Sequence, residues 1–225
     1  MRTYYNVNPK FYLSVDCIIF GFDKGELKLL LLKRNFEPAK GKWSLMGGFV
    51  QEEESVDDAA KRVLAELTGL NDVFMEQVGT FGDTNRDPGE RVISVAYYAL
   101  INVNEYDREL VQKHNAYWAK IDELPTLIFD HEEMVHKARV MMRHKASDTP
   151  IGFNLLPDLF TLSQLQSLYE AIYSEQIDKR NFRKRISEMD FIEKTELIDK
   201  QNSRRGAYLY KFNDKAYSKE PKFKL

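Results

Sequence analysis

The residues with the clearest chemical pattern lie between positions 48 and 70. At fixed intervals this segment carries Gly48, Glu54, Arg62, Glu66 and Gly69. If residues 56–68 form a helix, positions 63, 66 and 67 share one face, because residues three and four apart are neighbours on a helix. Three carboxylates on that face would suit Mg²⁺, a hard cation that prefers oxygen ligands and offsets the charge of a diphosphate.

This sequence carries only part of such a set. Val63 and Leu67 fill two of the three positions and extend the apolar row of the predicted helix. Only Glu66 remains on that face, with Glu54 one loop away, and these two are the vestigial metal ligands. We therefore predict no bound metal, no other cofactor and no enzymatic activity beyond a weak remnant. The alternative is an ordinary amphipathic helix, capped by Ser55 and ended by Gly69.

The frame of the segment resembles the Nudix box, a phosphate-hydrolase signature with the pattern G-x5-E-x7-R-E-U-x-E-E-x-G-U, where U is apolar. The matching residues are Gly48, Glu54, Arg62, Leu64, Glu66, Gly69 and Leu70. The two departures, Val63 and Leu67, each replace a glutamate. The resemblance implies a Nudix-like fold, and the departures imply a pocket that senses a ligand without hydrolysing it.

Composition describes a soluble globular protein. A chain of 225 residues, 43% hydrophobic and 30% charged, can form one large domain or two modest ones. Its one cysteine, Cys17, excludes an internal disulfide framework and fits a reducing compartment. No signal peptide and no apolar run of about 20 residues is visible. We predict a cytoplasmic protein without a membrane partner.

Charge divides the sequence into an acidic front and a basic tail. Residues 1–150 hold 19 Lys and Arg against 24 Asp and Glu, a net charge of −5. Residues 151–225 hold 14 against 11, a net charge of +3, and all 14 of these cations follow Gln176. The asymmetry favours a polyanionic partner at the tail, and a solvated charged surface is the alternative.

Residues 1–148 are predicted to form the front domain, a Nudix-like mixed-sheet α/β/α sandwich. Apolar runs predict strands at Val15–Phe22, Leu27–Lys33, Phe74–Phe81 and Val92–Ile101. The first two are joined by a hairpin turn at residues 23–26. A helix is predicted from His131 to about Lys145.

Polar and aromatic residues near the expected cleft predict an effector site. Carboxylates, guanidinium groups and an aromatic plate would suit a polyol or a ribose phosphate. The candidates are Arg34, Trp43, Phe49, Asp83, Arg86, Arg91, Asp130 and His131. Structural roles are the alternative: Trp43 in the core, Arg91 bracing its loop, and Asp130 capping the helix that follows.

Residues 149–225 are predicted to form a winged helix-turn-helix domain. Thr161 and Gln164 form a capping-box pattern at the start of one helix, and Asp178 caps a second, basic helix. Phe191–Ile198 and Ala207–Phe212 are predicted to be the strands of the wing. Two helices joined by a short turn and followed by such a hairpin form a DNA-binding unit.

The basic helix and the wing supply the predicted DNA contacts. Arg and Lys can reach guanine, Asn can reach adenine, and the wing can meet phosphates or the minor groove. The candidates are Lys179, Arg180, Asn181, Arg183, Lys184, Arg185, Arg204 and Arg205. A basic helical domain that contacts another protein is the alternative.

The whole chain resembles the Nudix-related transcriptional regulators, the NrtR-like group. The likeness includes the segments 45–49, 81–83, 129–131, 160–165 and 181–183. It is most similar to the arabinose-responsive branch of Bacteroides, AraR. The wing departs from the G-R-P-A sequence of many relatives, because it reads Arg204-Arg205-Gly206-Ala207.

The resemblance implies a homodimer on palindromic operator DNA, controlled by a small molecule in the front domain. In the NrtR-like group the effector is ADP-ribose, and in the arabinose-responsive branch it is L-arabinose. The expected function is a repressor of sugar-utilisation genes that L-arabinose releases from DNA. The alternatives are an ADP-ribose-sensing regulator and a Nudix hydrolase of a nucleoside diphosphate derivative such as ADP-ribose.

Overall fold

One mixed sheet organises the front half of the molecule. The computed structural model describes residues 6–104, 108–200, 206–219 and 223. Its seven-stranded sheet has the order β3-β2-β1-β6-β5, with β4 paired to β1 and β7 paired to β2. The strands are β1 (Tyr12–Asp23), β2 (Glu26–Lys33), β3 (Trp43–Ser44), β4 (Met46–Phe49), β5 (Phe74–Phe81), β6 (Val92–Asn102) and β7 (Ala116–Lys120).

Helices cover both faces of this sheet. They are α1 (Val56–Thr68), α2 (Arg108–Lys113) and α3 (His131–Asp148). Successive residues of β1 point to opposite faces, so Cys17 and Ile19 join the apolar cluster under α1, and Ile18 and Phe20 join the cluster under α3. The predicted α/β/α sandwich is confirmed, and β2 is buried on both faces because it lies inside the sheet.

Helix α1 begins and ends at the residues that the sequence predicts. The Ser55 hydroxyl accepts a hydrogen bond from the Asp58 amide at 3.1 Å, and Gly69 takes a left-handed φ of 74° that ends the helix. The predicted strands of the front domain are present: β1 is four residues longer than predicted, β2 and β6 are one residue longer, and β5 is unchanged. Strand β7 and the short helix α2 were not predicted.

The tail half adds a small sheet and three further helices. These are α4 (Leu162–Tyr173), α5 (Lys179–Ser187) and α6 (Asp214–Lys219), with a 3-10 helix at Ile151–Leu155. The strands are β8 (Phe160–Thr161), β9 (Ile192–Asp199) and β10 (Ala207–Phe212), in the order β8-β10-β9. Thr161 and Gln164 form the predicted capping box. The predicted winged helix-turn-helix is confirmed.

Packing is continuous between the two halves. One apolar cluster contains Met142 of α3, Ile151, and Leu165 and Ile172 of α4. The domain boundary predicted after residue 148 coincides with the last residue of α3 and stays a prediction. Within the described ranges no helix has the length and apolarity that a membrane span requires.

Candidate effector cleft and DNA-binding surface

A buried polar cluster lies on the sheet face that packs against α3. Its centre is Asp16 of β1, whose Oδ2 accepts a hydrogen bond from the Ser94 hydroxyl at 2.6 Å. Arg86 donates from Nε and Nη2 to the two oxygens of Asp130, both at 2.8 Å, and its Nη2 lies 3.7 Å from Asp16 Oδ2. The Arg86 side chain is only 3% exposed, so these carboxylates are what balances its charge.

His131 completes the cluster as a neutral side chain. Its Nδ1 accepts a hydrogen bond from the Leu45 amide at 3.0 Å, so the ring hydrogen is on Nε2, which lies 3.7 Å from Asp16 Oδ1. Burial lowers the pKa of His131, and Asp16 and Asp130 only partly oppose that effect. His131 therefore links the residue after β3 to the start of α3 by a hydrogen bond, and it lies beside Asp16 of β1.

The floor beside this cluster opens onto two aromatic rings. The strand register pairs Asp16 with Gly47 and Ser14 with Phe49, so these residues share one face with Tyr12. A Cβ on Gly47 would lie 2.5 Å from Asp16 Oδ1, which explains the glycine. Tyr12 and Phe49 are 56% and 52% exposed, with ring centroids 5.5 Å apart. Tyr12 precedes Asp16 by four residues, about 13 Å along the strand.

Arg34 and Phe129 lie beside the polar cluster, with the Phe129 ring 5.7 Å from that of His131, and with Tyr12 and Phe49 they border what we call the candidate effector cleft. Arg34 Nε donates to the Pro38 carbonyl at 2.9 Å, and its guanidinium carbon lies 4.0 Å from the Phe36 ring centroid and 5.9 Å from that of Phe129. Among the described residues its terminal nitrogens have no hydrogen-bond partner, so they are open to a ligand. Phe129 has a φ of 53°, a left-handed conformation that is unusual for a bulky residue and tends to occur at functional sites.

Half of the eight predicted effector residues converge in this cleft. They are Arg34, Arg86, Asp130 and His131, and Phe49 stands at its open end. The predicted capping role of Asp130 is wrong for its side chain, which makes no cap hydrogen bond and binds Arg86 instead.

The remaining three candidates have other contacts. Trp43 is half-buried with its ring edge-on to Tyr117, at 5.7 Å between centroids. Arg91 Nη1 donates to the backbone carbonyl of Asp83 at 3.1 Å, which is the bracing alternative, and its guanidinium lies over Phe11. The Asp83 side chain points to no partner in the described part of the chain.

Sequence reasoning missed the centre of the cluster, Asp16, and its partner Ser94. The signal was present, because Asp16 is a lone acid inside an apolar strand and such a residue needs a hydrogen-bonding or charged partner. Only the parallel pairing of β1 with β6 brings Ser94 close, across 78 positions of sequence.

The signature helix α1 has a different arrangement. Arg62 donates to both oxygens of Glu54, at 2.9 and 2.6 Å, and to the Phe49 carbonyl at 3.1 Å. Hydrogen bonds from Arg62 and from the Gln51 amide hold the pKa of Glu54 to about 2. Val63 and Leu67 are 3% and 9% exposed within the apolar cluster under α1.

This arrangement does not fit a bound Mg²⁺. Glu54 is committed to Arg62, and the neighbouring positions 63 and 67 supply no oxygen. Within the described ranges, no three His, Cys, Asp or Glu side chains are placed to share a metal ion.

The basic helix α5 presents its cations outward. Asp178 caps it through the Asn181 amide at 2.8 Å, and Phe182 and Ile186 are buried against α4. Arg180 and Lys184 stand two positions before and after Phe182, which places them on the opposite face. All five cations of α5 are exposed, and none has an ion pair in the described part of the chain: Lys179, Arg180, Arg183, Lys184 and Arg185. Arg204 and Arg205 lie outside the described residues.

Comparisons with known proteins match both halves of the chain. The Nudix domain model matches residues 10–143, and the model of the NrtR DNA-binding winged helix domain matches residues 152–212. The "ADPR responsive transcriptional repressor NtrR" of Acinetobacter baylyi is 34% identical over 208 residues, which are 91% of this chain and 83% of that protein. The chain belongs to the NrtR family of Nudix-fused winged-helix regulators.

Two solved NrtR structures match the fold. Shewanella oneidensis NrtR complexed with a 27mer DNA has a TM-score of 0.81 at 29% identity, covering 95% of this chain and 97% of that one. The NUDIX domain of the same protein, complexed with ADP ribose, has a TM-score of 0.53 at 30% identity, covering 60% and 91%. As a member of this family, the chain is a regulator whose tail is a DNA-binding winged helix domain.

Proposed function

We propose that this protein is a homodimeric transcriptional repressor whose affinity for operator DNA is controlled by a small molecule in the front-domain cleft. The observation that carries the proposal is α5, a capped helix with five exposed cations that no carboxylate of the described chain neutralises. Lys and Arg in such a position bind DNA phosphates and base edges. A two-fold dimer would match operator half-sites about 34 Å apart.

ADP-ribose is the effector that the relatives favour. A family member in Acinetobacter baylyi is named for its response to this molecule, and the Shewanella oneidensis domain was crystallised with it. The cleft has features that an elongated, anionic ligand could use. Arg34 has open terminal nitrogens at one side, and Phe49 and Tyr12 expose rings at positions about 7 and 13 Å along β1 from Asp16. A diphosphate and a base would suit these two places.

L-arabinose, with control of sugar-utilisation genes, is the second candidate. It is favoured by the polar cluster, because carboxylates, a guanidinium and an imidazole are suitable partners for sugar hydroxyls. It is also favoured by the apolar positions 63 and 67, since a neutral sugar needs no metal. The sequence resemblance to the arabinose-responsive branch favours this effector, and the relatives matched above favour ADP-ribose.

Loss of hydrolase activity is part of the proposal. A Nudix hydrolase needs Mg²⁺ to offset the charge of its diphosphate substrate. Val63 and Leu67 pack into the core, and Glu54 is held by Arg62. We expect no Mg²⁺-dependent turnover of ADP-ribose.

Fluorescence anisotropy with promoter DNA from the protein's own genomic neighbourhood tests the function. Binding is measured alone, with ADP-ribose and with L-arabinose. We expect tight, salt-sensitive binding that one of the two molecules weakens, and that molecule is then the effector. Specific binding that neither molecule changes would remove both effectors, and no specific binding would overturn the repressor proposal itself.

Substitution of Lys184 tests the role of α5. Lys184→Ala is expected to weaken DNA binding for all sequences and to lower the slope of log K against log salt by about 1 for each phosphate that Lys184 neutralises. The matched control is Lys137→Ala, because Lys137 is an exposed lysine of α3 that pairs with Glu133 at 2.7 Å. Equal affinity and salt slope in wild type and Lys184→Ala would remove this face of α5 from the interface.

A further inference from the structure

Helix α3 joins the effector cleft to the helix-turn-helix. Its 18 residues span about 27 Å at 1.5 Å per residue. The first turn belongs to the cleft, where Asp130 binds Arg86 and His131 binds the Leu45 amide. The middle packs on the apolar core through Met134, Ala138 and Met142, which are fully buried.

The last turns of α3 hold the first helix of the DNA-binding unit. Arg143 Nε donates to the Ile172 carbonyl at 2.8 Å, and Nη2 donates to the Ser174 hydroxyl at 2.7 Å. Both acceptors lie at the C-terminus of α4, where backbone carbonyls lack partners and a cation is favourable. Ser174 has a left-handed φ of 54° that ends α4. One arginine of α3 therefore fixes the point where the chain turns toward α5.

The turn that Arg143 holds also sets the position of α5. Glu170 accepts a hydrogen bond from the Ile177 amide at 3.0 Å, and Gln166 Nε2 donates to the Ile177 carbonyl at 2.9 Å. Residue 178 then caps α5. A small shift of α3 along its axis would thus reach the basic helix through residues 172–178.

We propose that Arg143 is a positioning residue that couples the cleft to α5, by tying the C-terminus of α4 to a helix whose first turn is held by the Arg86–Asp130 pair. The inference rests on the proposed function, because it gives the route by which an effector would change DNA affinity. Contact alone does not establish coupling, so the test measures whether a change at one end of α3 is felt at the other end.

The test is hydrogen exchange of the peptide that covers residues 174–178, in full-length protein without ligand or DNA. Arg86→Lys perturbs the cleft, because it keeps the charge and removes the fork that binds Asp130. When Arg143 is intact, we expect Arg86→Lys to speed hydrogen exchange in this peptide by about fivefold or more. In an Arg143→Ala background the same cleft change is expected to alter exchange less than about twofold.

The deciding quantity is the change in exchange rate that Arg86→Lys causes in each background. The change that Arg143→Ala causes by itself does not enter the comparison. A merely local role for Arg143 would let Arg86→Lys act equally in both backgrounds, and that result overturns the proposal. No effect in either background overturns it as well. Arg139→Ala is the matched control, since Arg139 lies one turn earlier in α3 and pairs with Asp122 of the front domain at 3.4 Å. In an Arg139→Ala background, Arg86→Lys is expected to speed exchange of residues 174–178 as much as it does when Arg139 is intact.

Two further variants keep the test decisive if folding is impaired. Arg143→Lys retains the charge with one donor group, and Ser94→Ala removes only the hydrogen bond to Asp16. Circular dichroism of each variant verifies its folding before exchange is measured. Failure of the repressor proposal would be seen separately, as absent DNA binding by wild type.

Discussion

Two arginine–carboxylate pairs with the same forked geometry serve the front domain in different ways. Arg62 binds Glu54 beside α1, and Arg86 binds Asp130 at the start of α3, with donor–acceptor distances of 2.6–2.9 Å in both. The Arg62 side chain is 33% exposed, and that of Arg86 is 3% exposed. The carboxylates are similarly accessible, Glu54 at 15% and Asp130 at 18%, so the pairs differ at the arginine: solvent screens the Arg62 guanidinium, whereas protein groups balance that of Arg86.

The buried polar cluster of this protein lies on the α3 side of the sheet. On the α1 side of the sheet, two positions that carry glutamates in the Nudix box belong to the apolar core. On the α3 side, Asp16, Arg86 and His131 remain buried, polar and connected. The family signature lies on one side of the sheet, but the groups suited to ligand binding lie on the other, joined to the helix that reaches the DNA-binding tail.

The largest expected effect comes from restoring the signature. Val63→Glu with Leu67→Glu would place two carboxylates in an apolar cluster, and we expect a loss of about 4 kcal/mol or more in the free energy of unfolding. Urea denaturation measures it. Lys61→Glu is the control, because it adds negative charge at an exposed position of the same helix. A double variant that keeps its stability and gains Mg²⁺-dependent hydrolysis would show that positions 63 and 67 border a dormant catalytic site.

The next largest effect tests the buried pair directly. Arg86→Ala leaves Asp130 and Asp16 without their cation, and we expect a loss of about 3 kcal/mol in the free energy of unfolding. Arg62→Ala, the matched control from the pair with the more accessible arginine, should cost clearly less. Equal losses in chemical denaturation would contradict the distinction between the two pairs.

Local structure was predictable wherever local residues determine it. Helix α1 begins and ends as expected because Ser55 and Gly69 satisfy its ends, and α4 begins at its capping box. Strand β7 was missed because its sequence, Ala-Tyr-Trp-Ala-Lys, does not alternate clearly, and its pairing with β2 decides its conformation.

The site was only partly predictable, because its pairings join distant residues. Arg86 and Asp130 were both candidates, yet their pairing spans 44 positions and depends on the fold. Asp16 lies in an apolar run that predicts a buried strand, and the sequence does not show which polar groups face it across the sheet. Arg143 gave no signal at all, since a cation near the end of a helix is common and its target, the end of α4, is known only from packing.

The smallest effect is the acid dependence of the Arg62–Glu54 pair. The pKa of Glu54 is lowered from 4.5 to about 2 in the folded protein, so its stabilising contribution is fully present above about pH 5 and is lost as the pH falls toward 2. Glu54→Gln removes this titration. The melting temperature of wild type should therefore exceed that of Glu54→Gln at neutral pH, and the gap should close between about pH 5 and pH 2. Equal melting temperatures of the two proteins over this whole range would mean that the ionised Glu54–Arg62 pair does not stabilise the fold, and that Glu54 acts only through hydrogen bonds that glutamine also makes.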